Sequence, residues 1–250
     1  MKDERELRRL LERNLASVRL RIRSACARAG RPTEEVTLVA VTKTLPPRVV
    51  ALLAELGQKD FGENRVQEAL AKVPECPSGL RWHLIGHLQR NKVGKCAGRF
   101  DVFHAVDGAA LAQALERAAD KAGRELPCFL EVNVSGEPAK HGATAGEAES
   151  IVHAAAENRW ARLVGLMTMA PFDADPEHAR PHFRALRELR DRLNAGLPAV
   201  CRLSGLSMGM SQDFETAIEE GATHVRVGTA LFVDTHTNRA ERAEDPGDRE

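Results

Sequence analysis

Short, almost continuously apolar segments alternate with segments of helical periodicity along most of the chain. The first, VTLVAVTK at 36–43, is rich in β-branched residues and apolar at successive positions, as expected of a strand covered on both faces. Further strands are predicted at 59–64, 82–87, 100–107, 127–135, 161–169, 201–209 and 223–232. Amphipathic helices are predicted between them, at 47–56, 65–72, 91–96, 109–122, 145–157, 177–194 and 213–220.

This order of elements predicts an α/β protein with a single (β/α)8 TIM barrel, because eight strands alternate with helices at intervals of roughly 25 to 30 residues. The alternative is a doubly wound open sheet, but no GxGxxG motif follows the first strand. An extra amphipathic helix is predicted at 3–29, ended by Gly30 and Pro32. We expect one barrel domain at 1–233 and a polar, charged tail at 234–250.

Composition narrows the class of protein. The chain has 250 residues, and its 36 basic and 36 acidic side chains give zero formal net charge, which argues against nucleic-acid and membrane-surface partners. The five cysteines are dispersed without CxxC spacing, as is typical of reduced thiols in a cytoplasmic protein. The charged start excludes a secretory signal, no apolar run is long enough to span a bilayer, and no exposed apolar extension suggests a partner subunit. We expect a cytoplasmic monomer.

Candidate chemistry lies where the strands end, because the carboxyl ends of barrel strands carry the active sites of this fold. Lys43 stands alone at the end of the first apolar strand. We expect apolar residues to enclose its stem, and such burial would favour the neutral amine that a Schiff base requires. The alternative is a lysine whose stem packs on the strand while its ammonium reaches solvent.

The last two strands carry a candidate phosphate site. Ser207, Gly209 and Ser211 precede a helix, and Gly228 and Thr229 follow the eighth strand. Glycines let backbone N–H groups approach an anion, and the loops after strands seven and eight are the usual phosphate site of the fold. Ser211 could instead be only a helix N-cap.

Arg226 lies between two valines in VRVG, so its side chain and theirs point to opposite faces of the strand. An arginine that points into the barrel needs an acceptor, because a buried unpaired charge is costly. That acceptor could be a ligand at the mouth, or it could be a neighbouring carboxylate such as Glu63 or Glu131.

Two further signals carry less weight. His83 and His87 lie in WHLIGH on a predicted strand, which is not the helical HExxH pattern of a zinc site, so no metal is predicted. Lys140 lies in a glycine-bearing loop after the fifth strand. It could be a lid lysine that touches a cofactor, or it could be an ordinary exposed lysine.

Six stretches resemble the YggS/PROSC family of pyridoxal 5′-phosphate (PLP) homeostasis proteins. They are LVAVTKT (38–44), FGENRVQEA (61–69), WHLIGHLQRNK (82–92), GLMTMAP (165–171), LSMGMSQDFETAI (206–218) and VRVGTALF (225–232). Together they span almost the whole chain in order. The resemblance implies the barrel of alanine racemase without its second domain, and PLP as the cofactor. The chain departs from the pattern at Val233, where a glycine often stands, and in the length of its tail.

The resemblance also implies a role for each matched residue. Lys43 would hold PLP as a Schiff base, Arg226 would face the pyridine nitrogen, and Asn64 would lie beside the ring. Ser207 and the turn of Gly228 and Thr229 would hold the phosphate. The remaining cofactor-binding candidates are Met208, which would add a backbone donor, and His87 and Met169, which would wall the pocket.

The expected function is intracellular vitamin B6 homeostasis without robust turnover, and no catalytic residue is assigned. PLP-dependent apo-enzymes could receive the cofactor. An arginine keeps the pyridine nitrogen unprotonated and weakens carbanion stabilisation. Alanine racemase pairs its lysine with a tyrosine base, and this chain contains no tyrosine. The alternatives are a PLP-dependent amino-acid racemase or lyase, and a barrel enzyme that uses Lys43 as a class I aldolase does.

Overall fold

Eight parallel strands close into a barrel in sequence order, with β1 paired to β8. The structure, a computed structural model, describes residues 4–136, 141–171, 173 and 175–233. The strands are β1 Thr37–Val41, β2 Asp60–Glu63, β3 Arg81–Leu84, β4 Val102–Val106, β5 Leu126–Glu131, β6 Ala161–Met167, β7 Gly205–Ser207 and β8 His224–Val227. The helices are α1 Glu4–Arg28, α2 Pro47–Glu55, α3 Val66–Lys72, α4 Val93–Cys96, α5 Ala109–Ala122, α6 Ala145–Ala155, α7 Arg180–Gly196, α8 Phe214–Glu219 and α9 Thr229–Phe232.

The single barrel and the extra N-terminal helix are therefore confirmed. Burial explains why the strands are apolar at successive positions: one face packs on the surrounding helices and the other lines the barrel. A small apolar cluster of Val102, Ala105, Phe129 and Met167 is separate from the large core and lies on neighbouring strands inside the barrel. The rest of the interior is partly polar, and this polar layer reaches the end of the barrel where the site lies.

Helix α1 lies outside the ring and packs on α8 and α9. The buried Asn14 amide nitrogen donates to the carbonyl oxygens of Leu231 and Val233, at 3.2 and 3.0 Å. These are carbonyls at the end of α9, which lack partners inside that helix. The N-terminal helix therefore fixes the segment that follows the last strand.

The predicted eighth strand, 223–232, is wrong beyond Val227. Strand β8 ends there, and residues Thr229–Phe232 form the short helix α9. Gly228 leaves the extended conformation, with φ −115° and ψ −83°, and its carbonyl accepts the Leu231 N–H at 2.8 Å. The apolar run continues through this turn because both elements are buried, so hydrophobicity alone does not mark the boundary.

Several strands are also shorter than predicted at their carboxyl ends. Strand β3 ends at Leu84 and β7 at Ser207, so His87 and Met208 lie in loops. The tail at 234–250 lies outside the described residues. Of the helices that the structure describes, none has both the length and the apolar character needed to cross a bilayer.

Candidate functional site

Lys43 lies two residues beyond β1, in a turn at the mouth of the barrel, and its side chain is exposed. The turn is closed by the Leu45 N–H, which donates to the Thr42 carbonyl at 3.0 Å. The expectation that apolar residues enclose Lys43 is therefore wrong, because the chain leaves the barrel before this residue is reached. Thr44, the next residue, has φ 64°, a left-handed conformation that β-branched residues rarely adopt.

A second lysine holds this turn from the side. The Lys72 ammonium donates to the carbonyl oxygens of Thr42 and Leu45, at 2.8 and 3.2 Å, on either side of Lys43. It also forms an ion pair of 2.5 Å with Glu63, a buried carboxylate that accepts from the Thr42 hydroxyl at 2.7 Å. Lys72 thus fixes the backbone around Lys43. No sequence pattern identifies it, because the two carbonyls that it contacts are 27 and 30 residues away.

Asn64 lies just beyond the end of β2, next to the turn that carries Lys43. The parallel register of β1 and β2 pairs Val41 with Gly62, and Lys43 and Asn64 each follow two residues later. The Asn64 side-chain oxygen is buried and accepts no hydrogen bond from the described protein atoms. An unpaired buried acceptor costs free energy, so this oxygen is suited to accept from a bound molecule at the mouth.

Arg226 points into the barrel and is 4% exposed. Its guanidinium donates to the Ser207 hydroxyl at 2.7 Å and to the Thr168 carbonyl at 3.0 Å. Burial lowers the pKa of Arg226 to about 10, with Glu131 and Asp213 opposing that shift. Glu63, the other carboxylate considered for it, pairs with Lys72 instead. A cation is therefore held in the barrel interior by neutral acceptors.

The candidate phosphate loop converges on Ser211 in this structure. Its hydroxyl oxygen accepts from the N–H groups of Gly228 and Ala230, both at 3.2 Å. Gly228 also packs on β1, since a Cβ placed there would lie 3.5 Å from the Val41 Cβ. The turn of Gly228 and the exposed Thr229 therefore adjoins the strand that leads to Lys43. The alternative that Ser211 is only a helix N-cap is wrong, because Asp213 occupies the N-cap position of α8.

Ser207 and Met208 are placed differently from the rest of the predicted phosphate site. The Ser207 hydroxyl is fully buried and contacts Arg226 and His104. The Met208 N–H donates to the His224 carbonyl at 3.1 Å, so it is already used between β7 and β8. Contacts from these two residues to a phosphate stay predictions.

His87 and Met169 lie at the mouth and are both exposed. The His87 ring stacks on His141, with 5.3 Å between ring centroids, and its Nδ1 lies 3.3 Å from the Asp107 carboxylate. A cavity of about 310 Å³ opens beside them, lined by His87, Leu88, Gln89, Arg90, Asp107, Gly108, Ala110 and Leu111. The position of His87 fits a pocket wall, while the expected contact of Met169 with a cofactor stays a prediction.

Two buried carboxylates set the electrostatics under the mouth. Burial raises the pKa of Glu131, with Arg226 acting in the opposite direction. Burial also raises the pKa of Asp213, whose oxygen accepts the Met210 N–H at 2.6 Å. Both carboxylates favour the charged form of the Arg226 guanidinium. Lys140, the candidate lid lysine, lies outside the described residues.

Comparison with known proteins identifies the family of the chain. Residues 14–236 match the family described as the N-terminal domain of alanine racemase. A "Pyridoxal phosphate homeostasis protein" of Aquifex aeolicus is 43% identical over 223 residues, covering 87% of this chain and 95% of the relative. One of the same description from Pseudomonas aeruginosa is 42% identical over 220 residues, covering 88% and 93%.

Solved structures give the same picture. PipY of Synechococcus elongatus, determined with PLP bound, is 36% identical with a TM-score of 0.78, covering 89% of this chain and all of that one. An alanine racemase of Clostridium difficile is 14% identical with a TM-score of 0.72, covering 90% of this chain and 56% of that one. The second likeness concerns the fold alone.

Proposed function

This chain belongs to the family of the pyridoxal phosphate homeostasis proteins, and from that premise we propose that it binds PLP covalently at Lys43 and acts in vitamin B6 homeostasis. Lys43 would hold PLP as a Schiff base, the linkage that a lysine amine and an aldehyde give with loss of one water molecule. The accessible position of Lys43 at the barrel mouth supports this role, because the amine must meet a ligand that arrives from solvent.

The observation that carries the proposal is the unpaired, buried Asn64 oxygen beside the Lys43 turn. A polar atom that is removed from water and left without a protein donor indicates a missing partner. PLP offers a hydroxyl group that can donate to such an oxygen. The Gly228–Thr229 turn with Ser211 would hold the phosphate on the neighbouring strand, and the Gly228 N–H, which donates to the Ser211 hydroxyl in this structure, would donate to the phosphate instead.

Arg226 supports binding without strong catalysis. Its guanidinium keeps a proton and can only donate, so a pyridine nitrogen that faced it would stay unprotonated. PLP supplies an electron sink when bound, and an unprotonated ring makes that sink weaker. The missing tyrosine removes the second base of a racemase of the alanine racemase design. We therefore infer a carrier that holds a reactive aldehyde and passes it to apo-enzymes. We place it in the cytoplasm, because reducing conditions there keep thiols such as its five free cysteines unpaired.

One observation supports an enzymatic function as the second candidate. The His87 imidazole and the Asp107 carboxylate form a pair at the mouth, an arrangement that suits a general base. A PLP-dependent racemase or lyase acting on amino acids would need such a group. Racemisation and elimination assays on the wild type and on His87→Gln distinguish the two functions. Turnover that is present in the wild type and falls in the variant would favour the enzyme.

The first experiment is an absorbance spectrum of the PLP-loaded protein before and after borohydride reduction, followed by peptide mapping. The wild type should show the visible band of a lysine–PLP Schiff base, and the reduced adduct should map to Lys43. Lys43→Ala should lose the band, while Lys121→Ala, at an exposed position of α5, should keep it. A wild type that stays colourless with added PLP contradicts the proposal.

Transfer to partners is tested separately. The loaded protein is mixed with an apo-form of a PLP-dependent enzyme, and recovery of that enzyme's activity is compared with recovery from an equal concentration of free PLP. Size-exclusion chromatography with light scattering tests the expected monomer. Recovery no faster than with free PLP would contradict the carrier role and leave the binding site intact.

A further inference from the structure

A continuous line of hydrogen bonds crosses the inside of the barrel and ends on Arg226. From the base, Asp60 Oδ1 contacts His83 Nε2 at 3.0 Å, and His83 Nδ1 contacts His104 Nε2 at 2.9 Å. His104 Nδ1 contacts the Ser207 hydroxyl at 2.7 Å, and the same hydroxyl accepts from Arg226 at 2.7 Å. We call these five residues the interior chain. Asp60 is the first residue of β2, so the chain starts at the end of the barrel opposite to the mouth.

The two ends of the interior chain fix the direction of every bond between them. Arginine can only donate, and an ionised carboxylate can only accept. Burial disfavours ionisation of Asp60, but its hydrogen bond with His83 and the neighbouring Arg81 lower its pKa overall, so Asp60 is a carboxylate. When His83 and His104 each carry one ring proton, one arrangement satisfies all contacts: each imidazole carries its proton on Nε2, and the Ser207 hydroxyl donates to His104. The interior chain then donates in one direction, from Arg226 to Asp60.

The neutral state of His104 follows from its surroundings. Its ring is fully buried and stacks on Phe129, with 4.7 Å between ring centroids. Burial holds the pKa of His104 well below its ordinary value, and His83, His224 and Arg226 act in the same direction. His224 lies 5.7 Å from His104 between ring centroids but bonds to the Thr223 hydroxyl, so it stands beside the interior chain.

Three histidines and an aspartate inside a barrel could also suggest a metal site. Among the described residues, however, no group of three or more potential ligands is arranged to hold a metal ion. The ring nitrogens of His83 and His104 point at each other and at Asp60 and Ser207. Their lone pairs are used in the interior chain.

The interior chain has a consequence for Arg226. Among the described residues, the Arg226 guanidinium donates hydrogen bonds to a hydroxyl and a carbonyl, and its carboxylate neighbours Glu131 and Asp213 act through space. A buried cation needs oriented acceptors. Each bond of the interior chain turns its negative end toward Arg226, and the carboxylate at the base keeps those dipoles from reversing. The Ser207 hydroxyl proton therefore points to His104, and the oxygen lone pairs face the guanidinium.

We propose that Asp60, His83, His104 and Ser207 are positioning residues, which hold the Arg226 guanidinium in one orientation toward the cofactor through a one-way hydrogen-bond chain. The inference rests on the proposed function, since it assigns the far end of the barrel a role in presenting Arg226 to PLP. It places determinants of cofactor affinity at the base of the barrel, where no ligand contact is expected.

The test uses the unliganded full chain labelled with ¹⁵N. Long-range ¹H–¹⁵N spectra show which ring nitrogen of each histidine carries the proton. The wild type should show the Nε2–H form at both His83 and His104, and slow rotation should give Arg226 separate guanidinium Nη signals. Asp60→Asn keeps the side-chain shape but can donate as well as accept, so both histidines should show a mixture of tautomers. Ser207→Ala should merge the Arg226 Nη signals.

The matched control is Asp101→Asn. Asp101 is also a carboxylate near the base of the barrel, but it accepts from the Trp82 N–H and pairs with Arg124, outside the interior chain. This variant should leave both tautomers and the Arg226 signals as in the wild type. Circular dichroism before each spectrum establishes that every variant is folded. Asp60→Asn and Ser207→Ala are both small changes, so if one variant fails to fold the other still tests the interior chain.

The PLP dissociation constant gives the second readout. Ser207→Ala should weaken PLP binding about tenfold, the usual effect of losing a hydrogen bond to a charged group. Asp60→Asn should shift it in the same direction by less, and Asp101→Asn should not shift it. A wild type with the Nδ1–H form at His104, or Asp60→Asn and Ser207→Ala spectra identical to the wild type, would overturn the interior chain. Failure of the wild type to bind PLP would instead overturn the proposed function, while the spectra of the unliganded protein still decide whether the interior chain holds Arg226.

Discussion

The Lys72 ammonium donates to the carbonyl oxygen of Thr42, the residue directly before Lys43, at 2.8 Å. The same group donates to Leu45 and pairs with the buried Glu63. A lysine on α3 thus holds both sides of the turn that presents the proposed attachment lysine. The two lysines have separate roles: Lys43 is accessible to a ligand, and Lys72 keeps the backbone beneath it in place.

Lys72→Met should destabilise the fold by about 3–5 kcal/mol, because it leaves the Glu63 carboxylate buried without its cation. Urea denaturation measures this loss. The double variant Lys72→Met with Glu63→Gln should recover part of it, since no unpaired charge remains. Lys121→Met should change the free energy of unfolding by less than about 0.5 kcal/mol, as expected at an exposed helix position. Equal losses in the single and double variants would show that the ion pair does not hold the turn.

Thr44→Asn should stabilise the protein by about 1 kcal/mol. Thr44 has φ 64°, and a β-branched residue in this region carries strain of about 1–3 kcal/mol, whereas asparagine adopts it readily. The same change at Thr37, within β1, should destabilise because asparagine is disfavoured in strands. Chemical denaturation of both variants tests the contrast, and a loss of stability in Thr44→Asn would mean that the threonine side chain contributes more than its strain costs.

Stability should fall as the pH drops from about 6.5 to about 3. Burial lowers the pKa of His224 from its ordinary value near 6.5 to about 3, and it lowers the pKa of His104 well below the ordinary value. In that range the unfolded chain binds protons on both residues and the folded chain does not, so protonation favours unfolding. Each group contributes a slope of about 1.4 kcal/mol per pH unit while it is neutral in the fold and charged in the unfolded chain.

Urea denaturation at a series of pH values measures this slope. His224→Asn should reduce it by the share of one histidine, and His153→Asn, at an exposed position of α6, should leave it unchanged. A wild-type free energy of unfolding that stays constant between about pH 6 and pH 4, just below the ordinary pKa of histidine, would mean that these rings are charged in the folded protein.

The sequence predicts the architecture well, because burial on both faces makes the strands apolar throughout and each helix keeps its own periodicity. It fails where two buried elements follow each other, as at Val227 and α9, since both are apolar. It also places Lys43 on a strand that ends two residues earlier, at Val41. Such errors come from turn geometry, which hydrophobicity does not record.

Part of the candidate site can also be predicted from the sequence, and part cannot. Lys43, Asn64 and the Gly228 turn come together because parallel register carries adjacent strand ends to one mouth, and this follows from strand order. The contacts that support Arg226 and the Lys43 turn do not follow from strand order. His104 lies 103 residues from Ser207, and Lys72 lies 30 residues from Thr42, so only the folded structure brings them into contact.

Gly86→Ala tests whether the position of Asn64 matters for the cofactor. A Cβ on Gly86 would lie 2.2 Å from the Asn64 carbonyl oxygen, so the added methyl group must displace the backbone that carries the unpaired side-chain oxygen. We expect a loss of stability of about 1–3 kcal/mol, as for other forced overpacking, and weaker PLP binding than in the wild type. Gly94→Ala is the matched control, because nothing lies within 4 Å of a Cβ there and alanine is the better residue inside α4. Titration with PLP and urea denaturation of both variants give the two readouts. If Gly86→Ala binds PLP as the wild type does, despite the displaced backbone, then Asn64 does not contact the cofactor.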